Sequence, residues 1–105
     1  MYVSGFSKKV YKFTALIPRG KVSTYALIAK AMGNPGAARA VGNALNKNPY
    51  APKIPCHRVV RSNGEVGSFA SGTKKKMAIL KKEGIIIKNK IVDLKKYLYE
   101  FKAQR

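Results

Sequence analysis

The sequence predicts a small, mainly α domain with short β hairpins, built around a helix-turn-helix. Three observations carry that expectation. Apolar residues recur at helical spacing in several separate segments. Capping residues, glycines and prolines stand at the ends of those segments. Asn63-Gly64 and Lys88-Asn89-Lys90 lie between short β-prone runs, where tight turns belong. A chain of 105 residues is expected to form one domain, 1–105, with a C-terminal helical extension at about 93–104. Hydrophobic residues at 46% and charged residues at 25% fit a folded chain rather than a disordered one.

The elements follow in order. Phe6, Val10, Phe13 and Ile17 share one helical face, and Pro18-Arg19-Gly20 ends that helix. Thr24 is expected to cap a second helix through Met32, with Gly33 as its stop. Asn34-Pro35 then reads as a cap followed by proline at the first helical position, opening a third helix that runs to Leu45. Two short helices joined by a glycine-containing turn make a helix-turn-helix. Pro49, Pro52 and Pro55 exclude a regular helix over 48–58 and stiffen that loop. His57 to Arg61 fits a short strand, and Asn63-Gly64 a hairpin turn. Lys74 to Glu83 is expected to be a helix with Met77 and Leu80 inward and Gly84 as its stop. Ile85 to Val92 reads as a small hairpin. Asp93 caps a last helix with Leu94, Tyr97, Leu98 and Phe101 on one stripe.

Charge dominates the composition. Lys and Arg number 22 against four acids, a formal net charge of +18, and residues 1–64 contain no acid. Such a field attracts polyanions, and nucleic acid is the leading partner because binding releases counterions. A lysine-rich proteome would explain part of the excess. A membrane surface is disfavoured, because the basic residues are spread over the chain rather than gathered on one amphipathic helix. No apolar run approaches a membrane span, and no secretory signal is recognisable, so a cytoplasmic protein is expected (nucleoid-associated in a prokaryote, nuclear in a eukaryote). One cysteine excludes an internal disulfide. With Cys56 and His57 the only strong soft ligands, no structural zinc site is expected, and no other metal or cofactor.

A lone cysteine is commonly a small buried hydrophobe. Cys56, however, stands beside the chain's single histidine in a stiff, proline-rich loop, which tips the reading toward a nucleophile. In an extended segment the two side chains point to opposite sides, so a bridging water or a turn at Pro55 is required for proton transfer. Glu83 alone would be a solvated carboxylate paired with Lys81 or Lys82, although a helix C-terminus disfavours negative charge.

The string Ile54-Pro55-Cys56-His57-Arg58-Val59-Val60 resembles the active-site signature of the O6-alkylguanine-DNA alkyltransferases, the methylated-DNA–protein-cysteine methyltransferases. Gly33-Asn34-Pro35 with Ala37-Ala38-Arg39-Ala40-Val41-Gly42 resembles the family's recognition helix. Asn48-Pro49, Ser62-Asn63-Gly64, Val66-Gly67 and Glu83-Gly84 follow in the family's order. The resemblance spans roughly residues 4–92. It implies a winged helix-turn-helix fold and a single-turnover reaction, in which a cysteine thiolate irreversibly takes the alkyl group from O6 of guanine in double-stranded DNA.

By that resemblance Cys56 is the nucleophile, His57 a base acting through water, Glu83 the residue that orients His57, and Asn48 a brace for the loop. The base is flipped out of the duplex. Arg39 fills the vacated space, while Ala37, Ala38, Ala40 and Gly42 let the helix sit close in the minor groove, where readout is degenerate. Tyr25 crowds the phosphate of the flipped nucleotide and hydrogen-bonds the guanine ring. Leu45 and Pro52 wall the pocket, and the Cys56 and Val59 carbonyls accept from the exocyclic amine. The Ala70 N–H donates to O6. Without the resemblance, Tyr25 reads as core packing and Arg39 as a phosphate contact or simply the polar face of the third helix.

Two departures stand out. Phe69-Ala70-Ser71 replaces the family's common Tyr-Ser-Gly, which bears on the range of alkyl groups accepted. Typical members also carry an N-terminal domain, so this chain reads as the short form, acting as a monomer, with the C-terminal helix covering apolar surface. Short alkyltransferase-like proteins usually have tryptophan where this chain has Cys56. The alternatives are an alkylated-base-binding protein that recruits other repair factors without transfer, and a plain basic DNA binder. The latter leaves the Pro-Cys-His-Arg loop unexplained.

Overall fold

The structure is a computed structural model, and it describes residues 4–50, 53–67 and 72–101. Its helices are α1 (Gly5–Thr14), α2 (Tyr25–Ala31), α3 (Ala38–Asn46), α4 (Thr73–Lys82) and α5 (Leu94–Tyr97). Its strands are β1 (Ser23–Thr24), β2 (Val59–Val60), β3 (Ile87–Lys88) and β4 (Ile91–Val92). This is the mainly helical fold with short strands that the sequence predicts.

Local chemistry explains most element ends. Ser4 Oγ accepts from Ser7 N to start α1, and Thr24 Oγ1 accepts from Leu27 N to start α2. α2 stops in a Schellman arrangement: Gly33 sits at φ +81°, and Asn34 N donates to the Ala29 carbonyl at 2.9 Å. That arrangement overturns the expected start of α3. Asn34 completes the cap of α2, its carbonyl accepts from Ala37 N at 3.0 Å, and α3 begins at Ala38 with no side-chain cap. Pro35 therefore lies in the turn rather than at a first helical position.

The chain has two buried clusters. Val10, Phe13 and Ile17 from α1 and its end join Ile28, Val41, Leu45, Cys56 and Val59 in the first. Val22, Val60, Val66, Leu80, Ile85, Val92 and Tyr97 form the second. Between them runs the pairing of β1 with β2, which is parallel, in the register Ser23–Val59 and Thr24–Val60. The strand expected from His57 starts only at Val59, because Cys56–Arg58 is wound into a single 3-10 turn. β3 and β4 make the expected hairpin, and its turn residues Asn89 and Lys90 both have positive φ, as a type I′ turn requires.

The last helix is shorter than its apolar stripe suggests. Asp93 caps it as expected, accepting from Lys95 N at 3.0 Å. It ends at Tyr97, because Leu98 bridges Val22 in parallel: Val22 N donates to the Tyr97 carbonyl at 2.9 Å, and Tyr99 N to the Val22 carbonyl at 2.7 Å. A continued helix would strand the backbone of buried Val22 without those partners. The tail beyond it still covers apolar surface, since Phe101 meets Phe13 edge to face with ring centroids 5.8 Å apart. Residues 102–104 of the expected helix lie outside the described residues.

Candidate active site and cleft

Cys56 opens the 3-10 turn. Pro55 is buried before it, and Cys56 N donates back to the Ile54 carbonyl at 2.8 Å in an inverse γ-turn. Asn48 reaches the same carbonyl, with Nδ2 donating at 2.9 Å, while its Oδ1 accepts from Tyr50 N at 2.9 Å. One side chain thus ties the start of the loop to the residue that begins the cysteine turn. The thiol is free and 7% exposed, in the cluster that also holds Leu45 and Val59.

His57 is buried, and its Nε2 lies 3.1 Å from Glu83 Oε2. Glu83 caps the C-terminus of α4 and is not paired with Lys81 or Lys82. Instead Arg58 grips it with Nε at 3.0 Å from Oε1 and Nη2 at 2.7 Å from Oε2. Burial pushes the His57 imidazolium below its ordinary 6.5, and the hydrogen bond to Glu83 only partly opposes this. Burial would raise the Glu83 carboxyl, but hydrogen bonds from Arg58 and His57 outweigh it and hold it below its ordinary value. At neutral pH the pair is thus a neutral imidazole donating Nε2–H to a carboxylate. The other ring nitrogen, Nδ1, is left with the lone pair of a base.

A cleft opens along α3; Cys56, His57 and Glu83 are not among its lining residues, and Tyr25, which packs on the cluster that holds Cys56, links the two. α3 lines one wall with Ala38, Arg39, Gly42 and Asn43, the Arg61–Asn63 turn lines the other, and Tyr25 lies between. The Tyr25 ring lies against α3 at Gly42, where a Cβ would stand 3.7 Å from it, an ordinary contact. Arg39 is exposed at the cleft. Ala40 is also exposed, but it is not among the cleft-lining residues, and Ala37 precedes α3 and packs on the first cluster. Pro52, Phe69, Ala70 and Ser71 lie outside the described residues.

Three residues at the site had not been singled out from the sequence. Arg58 holds Glu83. Arg61 stands across the cleft from Arg39. Lys76 on α4 is 1% exposed, with Nζ 3.4 Å from Tyr25 Oη, and burial pushes its pKa down to about 8. Burial likewise pushes the Tyr25 phenol up, with Arg61 opposing. A lysine on a lysine-rich helix reads as solvated, although Lys76 lies one turn before Leu80, on the face expected to point inward. Among the described residues, no group of three His, Cys, Asp or Glu side chains could hold a metal ion, and no helix is long and apolar enough to cross a membrane.

A buried free cysteine followed by a histidine that meets a carboxylate, on a helix-turn-helix domain, is the arrangement the structure presents. The chain belongs to the 6-O-methylguanine DNA methyltransferase family, whose DNA binding domain model matches residues 5–85. It is 49% identical over 79 residues to a methylated-DNA–protein-cysteine methyltransferase of Methanosarcina acetivorans, covering 75% of this chain and 51% of the relative. It resembles the crystal structure of S. pombe Atl1 in complex with damaged DNA containing O6-carboxymethylguanine, with a TM-score of 0.85 and 33% identity, over 95% of this chain and 99% of that one. It also resembles Mycobacterium tuberculosis OGT in complex with DNA, with a TM-score of 0.76 and 40% identity, over 78% of this chain and 51% of that one. The chain spans about half the length of the curated relatives it matches.

Proposed function

We propose that this chain repairs O6-alkylguanine in double-stranded DNA by irreversible, stoichiometric transfer of the alkyl group to Cys56. The new bond is between Cys56 Sγ and the alkyl carbon, and the broken bond is between that carbon and guanine O6. The thiol proton passes through a water to His57 Nδ1 and ends on the departing guanine, so a neutral base and a thioether remain. No cofactor enters the balance. The observation that carries this reading is the 3.1 Å approach of His57 Nε2 to Glu83 Oε2 beside a buried free cysteine, because it supplies an oriented base to a nucleophile.

The other roles follow from position. Arg39, exposed on α3 at the cleft, enters the duplex and replaces the extruded base. The small residues of α3 allow close approach in the minor groove. Tyr25 meets the flipped nucleotide from the floor of the cleft, Leu45 and Val59 supply the apolar side near Cys56, and Asn48 holds the loop. Pro52, Phe69, Ala70 and Ser71 are assigned to the remaining wall by family resemblance. The chain acts as a monomer, and a formal charge of +18 supplies sequence-independent affinity for phosphate.

The second reading is an alkylated-base-binding protein without transfer, which recruits other repair factors. One observation favours it: the chain matches almost the whole of S. pombe Atl1 but only about half of the methyltransferases. Against it stands Cys56, where short alkyltransferase-like proteins usually have tryptophan. The test is a duplex with a single O6-methylguanine, digested and analysed for nucleosides. Transfer restores one guanine per protein and then stops. Preferential binding with no guanine restored would select the second reading.

A further inference from the structure

The relay is completed by a residue with no role in the transfer step set out above. Arg58 uses three donors. Nε and Nη2 meet the two oxygens of Glu83 fork to fork, at 3.0 and 2.7 Å, and Nη1 donates to the Ile17 carbonyl at 2.9 Å. One guanidinium thereby joins the end of α4 to the chain just beyond α1. His57 and Arg58 share the same carboxylate oxygen, Oε2.

We propose that Arg58 is a positioning residue for alkyl transfer: it fixes the Glu83 carboxylate so that Oε2 is aimed at His57 Nε2, which selects the tautomer with Nδ1 open toward Cys56. The inference rests on the transfer reading.

Two physical arguments support it. Glu83 sits where the last carbonyls of α4 repel negative charge, and the fork from Arg58 offsets that repulsion in a fixed plane. Lysine cannot reproduce the fork, because an ammonium is a point charge without a preferred plane. The second argument is charge. A carboxylate facing imidazole favours the protonated ring, which is no longer a base. The charged groups facing His57 are Glu83 and Lys76 from α4 and Arg58 from its own turn, with the Cys56 thiol beside it. Arg58 partly cancels Glu83 and favours the neutral ring, as does Lys76.

His57 is the only histidine in the chain, so its ring nitrogens give one set of signals in a long-range proton–nitrogen NMR spectrum. The wild type is expected to show the Nε2–H tautomer and a titration midpoint below 6.5. Arg58→Gln is expected to populate both tautomers, raise the midpoint and slow transfer at neutral pH on the order of tenfold, with partial recovery in mildly alkaline buffer. Arg58→Lys is expected to keep the low midpoint but lose rate, because the charge remains and the fork does not.

A merely structural Arg58 would lower the folded fraction and leave the tautomer and midpoint of the folded molecules unchanged. A folded Arg58→Gln with the wild-type tautomer and midpoint would overturn the proposal. If Arg58→Gln does not fold, Arg58→Lys decides, and a wild-type rate and tautomer there would overturn it. The spectrum is read without any transfer. A wild type that transfers nothing thus defeats the repair reading separately from the geometry.

Discussion

His57 and Glu83, 26 residues apart in sequence, meet through Nε2 and Oε2 at 3.1 Å, and the carboxylate does so while capping the C-terminus of α4. A helix end is a poor place for negative charge. The pair persists because Arg58 shares the carboxylate and because both side chains are nearly buried, at 5% and 8% exposure for His57 and Glu83. An ionised, oriented carboxylate behind a neutral imidazole is what a base acting on a thiol requires.

The same burial sets the acid stability. Both folded-state values are depressed, so the unfolded chain binds more protons as pH falls and stability is lost with acidification. The His57 contribution is complete above 6.5 and falls away below it, and the Glu83 contribution is complete above 4.5 and falls away below that. Thermal melts across acid pH should therefore show Tm declining in two windows. His57→Gln should remove the upper window and Glu83→Gln the lower one.

Lys76 acts in the alkaline range. Its folded value of about 8 against 10.5 unfolded means that stability should rise as pH climbs through that interval, by on the order of 2–3 kcal/mol. Denaturant titrations at rising pH should show this gain in the wild type. In Lys76→Met the rise with pH should vanish, because the group that titrates is gone.

Asn48→Ala removes the donor to the Ile54 carbonyl and the acceptor for Tyr50 N. Loss of two such bonds should cost about 1–3 kcal/mol. It should also slow modification of Cys56 by O6-alkylguanine more than modification by a small soluble thiol reagent. The first needs the loop in place and the second does not.

Two glycines should respond in opposite ways. Gly64 sits at φ +89°, and a Cβ there would stand 2.6 Å from the Val92 carbonyl oxygen, so Gly64→Ala should destabilise by about 2 kcal/mol or more. Gly42 is inside α3, and a Cβ would meet the Tyr25 ring at 3.7 Å, an ordinary contact. Gly42→Ala should be neutral or stabilising by up to roughly 1 kcal/mol. Equilibrium unfolding of both variants checks the contrast.

What was legible in the sequence was local. Thr24 and Gly33 bound α2 because a cap and a left-handed stop are properties of a few adjacent residues. Asn34-Pro35 carries the same kind of signal, yet Asn34 was already committed to the end of α2. The stripe from Leu94 to Phe101 failed for a different reason: Val22, far away in sequence, needed the backbone of Tyr97 and Tyr99. Cys56, His57, Glu83 and Asn48 were singled out through ordered motifs, and the structure joins His57 to Glu83 and Asn48 to the Ile54 carbonyl just before Cys56. Arg58 and Lys76 were not: their partners Glu83 and Tyr25 lie 25 and 51 residues away, and Lys76, though one turn from inward Leu80, is a charged residue on a lysine-rich helix.

Transfer to Cys56 is read by intact-protein mass spectrometry after incubation with a duplex carrying O6-methylguanine, with Cys56→Ser as control. The expected result is a gain equal to one CH2, on Cys56, saturating at one per chain and absent from the control. An unchanged mass, in a protein that still binds the damaged duplex in preference to the undamaged one, would contradict it.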